Sequence, residues 1–112
     1  MSLTAKQSEF TEAISSFIAW CHMEGEAVIL AEAFRPPELA ELYAQQGKGI
    51  KNSNHCKKLA VDLFRYKNGT ITWEPDDYRK IGEQWEQWHP MARWGGRFRD
   101  YVHFSFEHDG VK

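Results

Sequence analysis

A chain of 112 residues, 42% hydrophobic and 27% charged, is expected to form a single domain over 1–112 that buries a core without disulfide or metal staples. Its formal charge of -2 excludes an electrostatic nucleic-acid binder, and no apolar run approaches the roughly 18 residues of a membrane span. No basic-then-apolar secretory pattern opens the chain, so the expected product is soluble, monomeric and cytoplasmic on synthesis.

Residues 4–23 predict a helix, because Phe10, Ala13, Ile14, Phe17, Ile18 and Cys21 recur at helical spacing and Glu24-Gly25 supplies a stop. Ala27–Ala31 reads as a buried strand. Pro36-Pro37 then marks the start of a second helix, with Leu39, Leu42, Tyr43 and Gln46 on one face and Gly47 as its cap. Arg35 therefore stands at a strand end, where the bland alternative is a surface ion pair. Residues 47–54 form a polar, glycine-containing loop without the spacing of a phosphate loop.

Leu59–Phe64 predicts a strand with Leu59, Val61 and Leu63 on one face and Ala60, Asp62 and Phe64 on the other. Asn68-Gly69 turns it into a hairpin with Thr70–Trp73. A third helix runs from Pro75 to about Trp88, with Tyr78, Ile81, Trp85 and Trp88 inward, and His89-Pro90 ends it. Met91–Phe98 reads as a turn-rich segment. In the last strand Val102, Phe104 and Phe106 face the core, and His103 faces the other way, as Asp62 does in its own strand.

A carboxylate inside an apolar strand needs a partner, since burying an unpaired charge costs several kcal/mol. His55 and His103 are candidates, and two imidazoles with one carboxylate form a zinc ligand set that leaves a fourth position for water. With five histidines in the chain, chance proximity is the competing reading. His22, His89 and His108 lie near element ends and read as surface or capping groups. Cys21 falls on the core stripe of the first helix, and Cys56 points away from its neighbour His55. Asp100, three residues before His103, is a candidate general base. Arg35 is a candidate for balancing an oxyanion, and Ser53 for orienting His55.

Ser53-x-His55 with Ala60-x-Asp62, then Trp94-Gly95-Gly96 and Asp100-x-x-His103-Phe104, resembles the zinc peptidases that include phage L-alanyl-D-glutamate endolysins and bacterial D-alanyl-D-alanine carboxypeptidases. Phe34-Arg35-Pro36-Pro37-Glu38 with Leu42-Tyr43 resembles that family's arginine segment, so the similarity spans about 28–107. The resemblance implies an α+β fold, an antiparallel sheet flanked by helices as in hedgehog-type zinc domains. It implies His55, Asp62 and His103 as zinc ligands, Asp100 as base and Arg35 on the substrate, with Ser53, Tyr43, Gln46 and Trp94 lining or supporting the site. The implied activity is a zinc metallopeptidase of phage or prophage endolysin type, cutting peptidoglycan stem peptides in the cell wall after release. Alternatives are a D-alanyl-D-alanine carboxypeptidase or dipeptidase, and a zinc-stabilised binding domain for cell-wall peptides. Lys58 departs from the pattern by standing where the family has glycine.

Overall fold

A computed structural model describes residues 1–49 and 53–112; Ile50, Lys51 and Asn52, the middle of the expected loop, lie outside the described residues. The chain opens with helix α1 (Leu3–Met23), whose first turn is capped by Ser2 Oγ accepting from the Ala5 N–H. The expected stripe turns inward: Phe10, Ile14, Phe17 and Cys21 are buried, and Gly25 takes the left-handed conformation after the last turn.

Strands β1 (Val28–Leu30), β2 (Ala60–Lys67), β3 (Thr70–Ile71), β4 (Ala92–Trp94) and β5 (His103–Phe106) form an antiparallel sheet in the order β1-β2-β5-β4, with β3 also pairing with β2. The first strand differs from expectation. It lies at the sheet edge, so only Val28 is buried, while Ile29 is 40% and Leu30 63% exposed. Asn68 and Gly69, at φ +54° and +81°, make the tight turn between β2 and β3. The hairpin's second strand stops at Ile71, leaving Trp73 outside it and exposed.

Helix α2 (Pro37–Gln45) begins at the expected prolines, but a different face turns inward. Ala40 is fully buried, whereas Leu42 and Gln46 are exposed. Helix α3 (Asp76–Trp88) buries Tyr78, Ile81, Gly82 and Trp85. Its glycine lets the helix approach β4 closely, because a Cβ at Gly82 would lie 2.1 Å from the Trp94 indole. The segment expected to be turn-rich contains β4, whose Trp94 pairs with Phe104. Helices α1 and α3 meet one sheet face through Phe17, whose ring lies 5.1 Å from Trp85 and 5.8 Å from Phe104 between centroids. Each such side chain, once buried, contributes about 1.5–3 kcal/mol. Among the described residues no helix is long and apolar enough to cross a membrane.

This packing fixes the opposite face. Leu63 and Phe104 point into the core, so strand alternation turns Asp62 and His103 away from it, and the β2–β5 register sets those two residues directly opposite each other.

Candidate metal centre

His55 reaches the same point from outside the sheet. It lies on a short 3-10 helix, Asn54–Lys57, rather than on a strand, and Ser53 Oγ caps that helix by accepting from the His55 N–H at 3.2 Å. Asn54, fully buried beneath it, donates to the carbonyls of Phe106 and Val111. The helix ends at Lys58 with φ +58°, the left-handed conformation that favours glycine. Lys58 adopts it and carries its ammonium to the Phe34 ring, 5.3 Å from the centroid, so it does not line the cleft.

Residues 31–35 hold two of the three side chains in place. The Ala31 N–H donates to the Asp62 carbonyl and the Asp62 N–H to the Glu32 carbonyl, at 2.9 and 2.7 Å. The Arg35 N–H donates to the His55 carbonyl at 3.1 Å. His55 Nδ1 lies 3.1 Å from the Ala33 carbonyl, which only accepts, so Nδ1 carries the proton and Nε2 keeps its lone pair. By the same logic His103 Nε2 donates to the Lys112 carbonyl at 3.1 Å and frees Nδ1.

The two free lone pairs face one another. His55 Nε2 and His103 Nδ1 are 3.2 Å apart, and Asp62 Oδ1 lies 3.2 Å from the first and 3.9 Å from the second. Donor atoms on a tetrahedral ion with bonds of about 2.1 Å stand about 3.4 Å apart. Asp62 Oδ1 is buried yet has no well-aligned hydrogen-bond donor, and a buried carboxylate oxygen left so is costly. Among the described residues this is the one group of His, Cys, Asp and Glu whose donor atoms lie within 4.8 Å of one another. The donor set and the orphaned oxygen fit a divalent cation of the zinc type.

Burial pushes His55 down, but the Asp62 carboxylate and the Ala33 carbonyl outweigh it, and its pKa is raised. Burial and the nearby His55 hold His103 well below the ordinary histidine range. Asp100 stands beside the cluster, Oδ2 3.9 Å from His103 Nδ1 with half its side chain exposed. Partial burial, then the Asp62 charge, push its carboxyl up.

Around the cluster lies a cleft of about 240 Å³, lined by Arg35, Lys48, Gly49, Ser53, His55, Asp62, Phe98, Asp100, His103 and Lys112. The structure thus brings together six of the nine expected site residues. Tyr43 stands behind them, its ring 5.3 Å from the Arg35 guanidinium. Trp94 does not reach the cleft: it is 2% exposed and donates to the Tyr101 carbonyl inside the scaffold. Gln46, on the exposed end of α2, does not line it either. Glu32, Lys48 and Phe98 escaped the sequence reading. Only the placement of Glu32 three residues before Arg35, past a strand end, could have signalled a partner.

The profile of a family described as D-alanyl-D-alanine carboxypeptidase, within the M15 peptidases, matches residues 46–106, from the end of α2 through β5. The chain belongs to the M15 peptidase family. The matched span of this M15 chain contains all three cluster residues and Asp100. Its fold is similar to the crystal structure titled Serratia marcescens L-Ala D-Glu endopeptidase ChiX, with a TM-score of 0.64 and 21% identity over 73% of this chain and 68% of that one. No curated protein sequence matches it.

His22 and His89 serve the scaffold. His22 Nε2 sits against the backbone of Val28, and His89 Nδ1 accepts from the Met91 N–H while its ring stacks on Phe106. Cys21 is buried in the core, and burial pushes its thiol up to about 12.

Proposed function

We propose that the chain is a zinc-dependent peptidase that hydrolyses peptidoglycan stem peptides as an endolysin-type L-alanyl-D-glutamate endopeptidase. The observation that carries the reading is the cluster of His55 Nε2, His103 Nδ1 and Asp62 Oδ1, three converging acceptor atoms beside an open cleft. His55, His103 and Asp62 would hold the ion, and zinc bound there supplies Lewis acidity to the scissile carbonyl and the attacking water.

Asp100 is the base. Its raised pKa and half-exposed carboxylate suit it to take a proton from water and return it to the leaving amine. Arg35 lines the same cleft and supplies the charge that balances an oxyanion. Ser53 fixes the start of the helix that carries His55, and the Ala33 and Lys112 carbonyls hold the two imidazoles in the tautomers that ligation needs. The family description favours a second reading, a D-alanyl-D-alanine carboxypeptidase.

The test is digestion of purified peptidoglycan by zinc-loaded and chelator-stripped protein, read by mass spectrometry. Stem peptides cut between L-Ala and D-Glu by the loaded protein alone are expected. Loss of a terminal D-Ala alone would select the carboxypeptidase, and no cleavage would leave a peptide-binding domain.

A further inference from the structure

We infer that Glu32 is a positioning residue for the reaction, acting through Arg35; the inference rests on the peptidase reading above. Glu32 Oε1 accepts from Arg35 Nε at 2.9 Å and also from Nη2, so a single carboxylate oxygen occupies the lateral edge of the guanidinium. The ion pair is sheltered, with Arg35 14% and Glu32 28% exposed by side chain. The Tyr43 ring lies against the guanidinium at 5.3 Å. Among the described residues, the edge that remains is the terminal one. Its Nη1 lies beside Gly49, on the cleft wall, where an added Cβ would come within 3.7 Å of it.

An arginine side chain has many rotamers, and ordering it costs up to about 2 kcal/mol of conformational entropy. Glu32 meets that cost in the resting protein, so the substrate does not have to. Glu32 is itself anchored at the centre: its carbonyl accepts from the Asp62 N–H, and its Oε1 lies 3.6 Å from His55 Nδ1. One residue therefore ties the orientation of Arg35 to the ligand pair His55 and Asp62. Such partners, when removed, typically lower activity by about 10- to 100-fold.

The experiment compares Glu32→Gln, Arg35→Ala and the double variant. Three quantities are read on the same preparations: zinc stoichiometry, kcat and KM on a stem peptide, and the ¹⁵N-detected Nε–H signal of Arg35. Glu32→Gln is expected to keep one zinc and a near-normal KM, and to lose about 10-fold or more in kcat. The double variant should be no slower than Arg35→Ala alone, because both changes remove the same action. The Arg35 Nε–H signal should be sharp in the wild type and shifted and broadened in Glu32→Gln, whose neutral amide oxygen accepts more weakly. A wild-type kcat and an unchanged Nε–H signal in Glu32→Gln would overturn the proposal, as would losses that multiply in the double variant. Should the wild type cleave no stem peptide, the peptidase reading falls, and the Nε–H signal alone still decides whether Glu32 holds Arg35.

Discussion

Asp62 is where structure and chemistry are most tightly joined at the scale of single residues. Its Oδ1 is buried without an aligned donor, so the protein folded without a cation carries an uncompensated cost. Zinc should therefore raise the melting temperature of the wild type, since binding to the native state alone stabilises it. Asp62→Ala is expected to abolish that rise and to drop zinc content below one per chain, as elemental analysis and thermal melts in the two conditions would show. Lys58 makes a contrasting case. A left-handed non-glycine residue costs about 1–2 kcal/mol, while glycine there would add unfolded-state entropy of about 0.5–1 kcal/mol and lose a cation–π contact worth about as much. Lys58→Gly should thus leave unfolding free energy within about 1 kcal/mol of wild type, with zinc stoichiometry unchanged. A loss of zinc in that variant would show that the lysine shapes the ligand helix. The residues of the site were legible to different depths. Asp62 and His103 could be read from strand alternation alone, because period two sets both side chains on the face opposite Leu63 and Phe104. Glu32 was missed: its place three residues before Arg35 was the one cue, and an irregular segment gives such a spacing no direction.

At the scale of elements, the contacts that support the site pass through glycines. A Cβ at Gly95 would lie 2.2 Å from the Asp100 carbonyl oxygen and 2.7 Å from His103 Cβ, and the Asp100 N–H donates to the Gly95 carbonyl at 2.8 Å. The turn that presents Asp100 and His103 is thus folded onto that glycine. Gly82 does the same for α3 and β4. Gly82→Ala is expected to destabilise by about 1–3 kcal/mol through overpacking against the buried Trp94, which urea unfolding would measure. A wild-type midpoint would mean that α3 shifts freely on the sheet. The β2–β3 hairpin is tied to the start of α3 by Asp77, which accepts from Thr72 Oγ1 and Lys67 Nζ. The Thr72 and Lys67 bonds lower its pKa. The sign follows: a carboxyl depressed on folding adds stability above its unfolded pKa and loses it as pH falls through the folded one. Asp77→Asn should therefore show a shallower loss of stability on acidification, below the ordinary carboxylate range. Strand β4 escaped the sequence reading because its three residues, Ala92–Trp94, are too few for alternation to register. The first strand misled for the opposite reason: an apolar run such as Val28-Ile29-Leu30 reads as buried, but an edge position exposes it.

For the molecule as a whole, helices α1 and α3 cover one face of a small antiparallel sheet, and the clustered polar groups gather on the other. That division was visible in the sequence, because α1 and α3 carry strong apolar stripes while β2 and β5 each place a ligand type among apolar neighbours. What it left open was the convergence itself, which depends on a 3-10 helix bringing His55 to the sheet from a separate part of the chain. On the proposed reading, enzyme and binding domain differ at one atom pair, the carboxylate oxygens of Asp100. Removing a ligand would abolish binding and catalysis together, whereas Asp100→Asn keeps shape and much of the hydrogen bonding and removes only the proton acceptor. The deciding measurement is stem-peptide cleavage by Asp100→Asn and wild type, with zinc content determined on the same preparations. Expected are one zinc per chain in both and cleavage slowed by at least about 100-fold in the variant. Equal cleavage by the two proteins, or no cleavage by a zinc-loaded wild type, would contradict catalysis at this centre.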